Sequence, residues 1–180
     1  MAVIGIDNGT SGTIGFICGA EYEFLETPVI IKLDFTKTKK KQIKRLDVDV
    51  FHKLMQSYIT KAERNNEALM CYLERPLINP MLFNTSILAV RCFEAELTVI
   101  EALKIPYEII DSKAWQKVLL PEGISAKGKD KKAVKNELKF ASMEVAIRYF
   151  PKCEKLIRKH KDGDGILIAR YGKLKEGENK

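Results

Sequence analysis

Four acidic residues stand where folding could bring them together. Asp7 closes an apolar run, AVIGID, just before the polar turn NGTSG. Glu74 closes a second run, ALMCYLE, just before Arg75-Pro76. Asp162 and Asp164 flank Gly163 in HKDGDGILIARYG, ahead of another apolar stretch. An acid at the C-terminal end of a buried strand has left the sheet, and strand C-termini in an α/β sheet share one edge. A helix N-terminus packed on that edge would complete a carboxylate cluster. Unpaired carboxylates in close proximity raise one another's pKa values, and a divalent cation relieves the repulsion. Carboxylates with open water positions suit Mg²⁺, with Mn²⁺ as a substitute. Two such ions about 3.5–4 Å apart clamp the attacking and leaving oxygens of a phosphodiester displacement.

Each acid also has an ordinary explanation. Asp before Asn-Gly is a common turn residue. Asp162 and Asp164 read equally well as an N-cap and a first-turn residue. Two residues apart within one helix, they would face nearly opposite sides. Both serve one site only if Asp162 precedes the helix, which Gly163 permits. Convergence of all four favours the metal reading. The chain also carries a formal charge of +7, which favours a polyanionic partner. Acids and basic surface together point to a nuclease. Thr36–Arg45, TKTKKKQIKR, concentrates part of that charge, including Lys39, Lys40 and Lys41. It reads as a solvated loop or a phosphate grip with equal force.

The elements that must position these acids follow from periodicity. Residues 2–19 predict a β-hairpin with a buried first strand. Tyr22–Leu33 predicts a third antiparallel strand, at the sheet edge because Pro28 interrupts it. Asp47–Asn65 places Phe51, Leu54, Met55, Tyr58, Ile59 and Ala62 on one helical face, with Asp47 or Asp49 as cap. His52 on this helix reads as a surface residue. Ala68–Glu74 reads as a central parallel strand. After a loop at 77–83, Asn84, Thr85 or Ser86 should cap a helix to about Leu103. Ile105–Asp111 is the last strand, and Ser112 opens a short helix carrying Trp115. Asp130 is expected to cap a helix to Phe150, stopped by Pro151. A final helix begins near Asp164, with the tail from Gly172 expected to fray. The 180 residues suggest a single domain, residues 1–180. Scattered cysteines at 18, 71, 92 and 153 read as reduced core thiols. The absence of a membrane-length apolar run implies no membrane partner. A soluble, cytoplasmic protein is expected, with no organic cofactor.

GIDNG around Asp7, YLERP around Glu74, DSKAWQKVLLP at 111–121 and the closing DGDGILIARYG occur in that order. Together they resemble the RuvC-type Holliday junction resolvases, most closely their phage and organellar branches. The resemblance implies an α/β, ribonuclease H-like fold: a five-stranded mixed sheet, three strands antiparallel then two parallel, flanked by helices. It implies a homodimer in which each protomer cuts one strand of a four-way DNA junction with two Mg²⁺ ions, leaving 5′-phosphate and 3′-hydroxyl ends. Asp7 and Glu74 would match the first two metal-binding acids, and Asp164 the acid opening the last helix. Asp162 is a candidate for the acid before it, at a shorter spacing than the family's. His160, Lys161 or Asp162 could approach the scissile phosphate or a metal. Lys131 resembles a lysine that contacts phosphate near the active site; it also reads as a solvated lysine among Lys127, Lys129 and Lys132. Met81-Leu82-Phe83 falls where the family has a loop that wedges or stacks at the junction centre. Phe83 could stack on an unpaired base, or staple the following helix.

Other readings use the same residues. A junction-binding architectural protein with a decayed site would bind without cutting. A nuclease acting on RNA or on branched intermediates generally would share the acids, because phosphate contacts do not identify the sugar. Gly5–Thr10 also resembles the phosphate-binding hairpin of sugar kinases and actin-like ATPases. Those enzymes need two such domains, and no second Gly-rich motif follows here.

Overall fold

The computed structural model of the chain describes residues 1–34, 38, 40–121 and 131–178, without the side chains of Lys131, Lys132 and Glu178. The main sheet holds β1 (Ala2–Ile6), β2 (Thr13–Cys18), β3 (Glu21–Glu26), β6 (Leu69–Glu74) and β7 (Tyr107–Ile110), in the order β3-β2-β1-β6-β7. The first three strands are antiparallel, and β6 and β7 run parallel to β1. β1 is central and wholly buried, which its unbroken apolar run anticipates.

Alternating residues feed two cores. Ala2, Ile4 and Ile6 pack with Phe51, Met55 and Tyr58 of α1 (Val48–Arg64) and Phe93 and Ile100 of α2 (Phe83–Ala102). Val3 and Tyr72 pack with Trp115 of α3 (Ser112–Leu119), with α4 (Lys131–Tyr149) and with Ile166–Ala169 of α6 (Asp164–Glu178). Asp47 caps α1 as expected, its side chain accepting from the Val50 N–H at 3.2 Å. All four cysteines are free and buried. No helix among the described residues is long and apolar enough to cross a membrane.

α6 lies unusually close to the sheet because three glycines meet there. A Cβ on Gly5 would stand 2.2 Å from the Ala169 nitrogen, and one on Gly15 2.3 Å from the Ile166 Cα. One on Gly165 would stand 2.5 Å from the Thr13 carbonyl oxygen. Backbone touches backbone, so the N-terminus of α6 is held against the ends of β1 and β2.

Four expectations need correction. Tyr22–Leu33 is two strands, not one. β3 stops at Glu26, and β4 (Val29–Leu33) pairs with β5 (Gln42–Leu46) in a separate two-stranded sheet. Pro28 cannot donate to a ladder; its carbonyl instead accepts from Asp47 N–H at 2.8 Å. The basic run 36–45 therefore ends in a strand, which its lysines disguised. None of Asn84, Thr85 or Ser86 caps α2, whose N-cap is Leu82, without a side-chain bond. A 3₁₀ turn, Pro80–Leu82, precedes it, and Ser86 Oγ instead bonds the Asn79 backbone. Pro151 stops α4 as expected and starts another 3₁₀ turn, followed by α5 (Glu154–His160), an element too short to show a clear period. Residues 172–178 are helical, not frayed: α6 continues to Glu178, with Gly172 against the Tyr72 ring. Lys175 pairs with Glu108, and Tyr72 donates to Glu176 at 2.8 Å.

Candidate metal centre

Asp7 is the first residue beyond β1, and its N–H donates to the Thr13 carbonyl at 2.9 Å. Asp164 is the first residue of α6. Asp162 precedes that helix: Lys161 takes a left-handed conformation (φ 60°) at the end of α5 and turns the chain. Asp162 and Asp164 therefore escape the opposite-sides problem. Asp7, Asp162 and Asp164 each offer an oxygen, and these oxygens lie within 4.8 Å of one another. Asp162 also accepts the Asp164 N–H at 2.8 Å. One Asp162 side chain thus both holds the first N–H of α6 and joins the cluster.

Glu74, at the end of β6, stands outside this trio. Its Oε2 accepts from the Trp115 indole N–H at 2.7 Å, yet its charge still acts on Asp7 and Asp164. Burial, then Asp164, Asp162, Glu74 and Glu96, raise Asp7 well above the ordinary carboxylate range. Burial and Asp162 push Asp164 up to about 7, against the Ser142 hydroxyl that donates to it. Burial, with Asp111 and Asp162, pushes Glu74 up to about 7, against the Trp115 bond. Crowded oxygens that resist ionisation are the donor set a hard divalent cation satisfies. Any of the three trio acids could ligate one, with Glu74 nearby.

These shifts carry a sign. A carboxyl raised in the fold contributes stability below its unfolded pKa, roughly 4, that is lost as pH rises through the folded value. Through Asp164 and Glu74, the metal-free protein should lose stability between pH 4 and about 7. Added Mg²⁺ should raise the Tm more at pH 8 than at pH 5, by calorimetry or thermal shift. Equal shifts at both pH values would show that the acids hold no metal.

Several supporting residues were not singled out from sequence. α4 presses on Gly163, where a Cβ would meet the Ala146 Cβ at 2.4 Å. That contact brings Lys139 to 3.4 Å from Asp162 and Ser142 to Asp164. Glu96, fully buried on α2, is pushed up to about 8 by burial, opposed by bonds from Cys92 and the Gly9 N–H. Its signal was available: it occupies an apolar-stripe position alongside Cys92, Phe93, Val99 and Ile100, all buried.

The remaining candidates scatter. His160 Nε2 lies 3.1 Å from the Ser11 carbonyl oxygen and Nδ1 3.7 Å from Glu26, outside the trio. His52 is half-buried. Lys41 and Phe83 line one cavity of about 320 Å³ with Ile43, Ile87, Leu88 and Arg91, while Lys40 is exposed. Met81 and Phe83 are largely exposed. Lys131 and Lys132 open α4, and their side chains are not described. Lys39, Lys127, Lys129 and the expected cap Asp130 lie outside the described residues.

No protein-family profile matches the chain. No curated protein matches it by sequence. Among solved structures, Thermus thermophilus RuvC in complex with a Holliday junction substrate aligns with 95% of this chain and 91% of its own, at 13% identity and a TM-score of 0.51. A second Thermus thermophilus RuvC structure covers 99% of this chain and 97% of its own, at 14% identity and a TM-score of 0.49. The first likeness defines the class: an α/β, ribonuclease H-like fold of the RuvC kind.

Proposed function

We propose that this chain is a structure-selective DNA endonuclease that resolves four-way or similarly branched junctions, acting as a homodimer and leaving 5′-phosphate and 3′-hydroxyl ends. The observation that carries this is the trio of carboxylates, within 4.8 Å, at the common edge of a RuvC-like sheet. Asp7, Asp162 and Asp164, with Glu74 beside them, would hold the divalent cations. Bound there, the ions would supply an acidified water and a counter-charge for the departing oxygen. The chain's own groups prepare the place. Ser142 and the Asp164 N–H orient two of the carboxylates, and Trp115 orients Glu74. Lys139, held at Asp162, brings a positive charge to where phosphate charge would build up, a role the resemblance assigned to Lys131.

The test is cutting of an immobile four-way junction beside a matched duplex and a three-way branch, in Mg²⁺ and in EDTA, with wild type and Glu74→Gln. Paired, metal-dependent nicks at the branch point of the four-way junction, lost in the variant while binding persists, are expected. Equal cutting of the three-way branch would widen the substrate class. Binding without cutting in Mg²⁺ or Mn²⁺ would replace the catalytic reading with an architectural one.

A further inference from the structure

Beside the carboxylate trio, α4 and α5 enclose an open groove of about 410 Å³. It is lined by Asn136, Lys139, Phe140 and Met143 of α4, with Arg158 and Lys161 from α5 and its C-terminal cap. The four α4 residues are spaced to share one helical face. The groove borders the candidate centre: Lys139 in its wall reaches Asp162 at 3.4 Å, and Lys161 immediately precedes that acid.

Phe140 is 63% exposed. The fold does not need it there: α4 buries Val134, Val145 and Ala146 on its core side. An exposed ring between lysines, one residue from a lysine that touches the site, suits a flat partner carrying negative charge. A nucleotide has that chemistry, offering a base face for the ring and a phosphate for ammonium groups. Arg158 is already paired with two carboxylates, Glu144 and Glu154, whereas Lys139 meets one, Asp162, at 3.4 Å, so Lys139 and Lys161 are the better phosphate contacts.

We infer that this groove seats one unstacked nucleotide of the strand being cut, with its base on Phe140 and Met143 and its phosphate held between Lys139 and Lys161. This rests on the nuclease reading and adds a strand-holding subsite to it. An unpaired nucleotide at a branch point enters the groove at little cost, whereas a base in intact duplex must first leave its stack. The subsite therefore favours branched over linear DNA without reading sequence.

The test uses the full chain with Asp7→Asn as the uncut parent, on four-way junctions carrying 2-aminopurine at successive positions flanking the wild-type cut. One position should change fluorescence on binding in the parent. Phe140→Leu should abolish that change and weaken junction binding by on the order of tenfold, with the salt dependence of binding unaltered. Phe140→Trp should restore both. Lys161→Gln should lower the salt slope by about one. Matching circular dichroism and Tm would show that Phe140→Leu is folded. Binding and fluorescence of Phe140→Leu within twofold of the parent would overturn the subsite while leaving the nuclease reading in place. Failure of wild type and parent alike to bind junctions would overturn both.

Discussion

Asp7→Asn is expected to cut junctions at least about 100-fold more slowly than wild type, while the metal-free variant melts at a higher temperature at pH 8. Loss of a residue that merely orients a metal ligand costs about 10–100-fold, so loss of a ligand should reach or exceed that range. The gain in stability has a separate origin. Burial and four neighbouring acids oppose ionisation of Asp7. At pH 8 the folded protein must either hold the charge against them or hold a proton that the unfolded chain would release. An amide of the same shape does neither. The gain should therefore shrink at pH 5, and the Mg²⁺-induced rise in Tm should fall with it. Single-turnover cleavage and melting curves in EDTA and Mg²⁺ read both effects. Cutting within tenfold of wild type would remove Asp7 from the metal site. A fall in metal-free stability at pH 8 would show that its carboxylate serves the fold instead.

Gly5→Ala should be among the most damaging one-carbon changes to the fold. Its new Cβ would lie 2.2 Å from the Ala169 nitrogen and 2.4 Å from the Gly165 carbonyl oxygen. Both are backbone atoms, so no side chain can swing away. β1 and α6 must separate, and each is among the best buried elements of the chain. Overpacking of this kind typically costs about 1–3 kcal/mol, and a rigid backbone contact belongs at or above the top of that range. In a chain of this size that lowers the Tm by roughly 6–12 °C or more. Gly5 also sits two residues before Asp7, and the atoms it would strike belong to the helix opened by Asp164. Cleavage at temperatures where the variant remains folded should fall as well, because the acids can no longer approach. Unchanged melting would mean that helix and sheet are farther apart than the structure places them.

Sequence by itself determined the parts of the site that depend on local order. Asp7 and Glu74 end apolar strands, Asp164 opens a helix, and Asp47 caps another; strand ends and caps are set by neighbours along the chain. It also determined that the strand of Leu69–Glu74 lies inside a sheet, because its apolar run is nearly continuous. It gave a misleading signal where charge masked a strand, at Gln42–Leu46, and where a charged tail continued as a docked helix. Only the tertiary structure decided which acids meet. Asp162 joins Asp7 because α5 ends in a left-handed residue, whereas Glu74 is held to one side by Trp115. Lys139 and Ser142 come to the site from a distant helix that local spacing could not register, and Glu96, legible as an acid in an apolar stripe, is brought there by α2. The physical reason is close approach: at Gly5, Gly15, Gly163 and Gly165 helices come within contact of backbone or Cβ atoms, and that distance sets which side chains share a space.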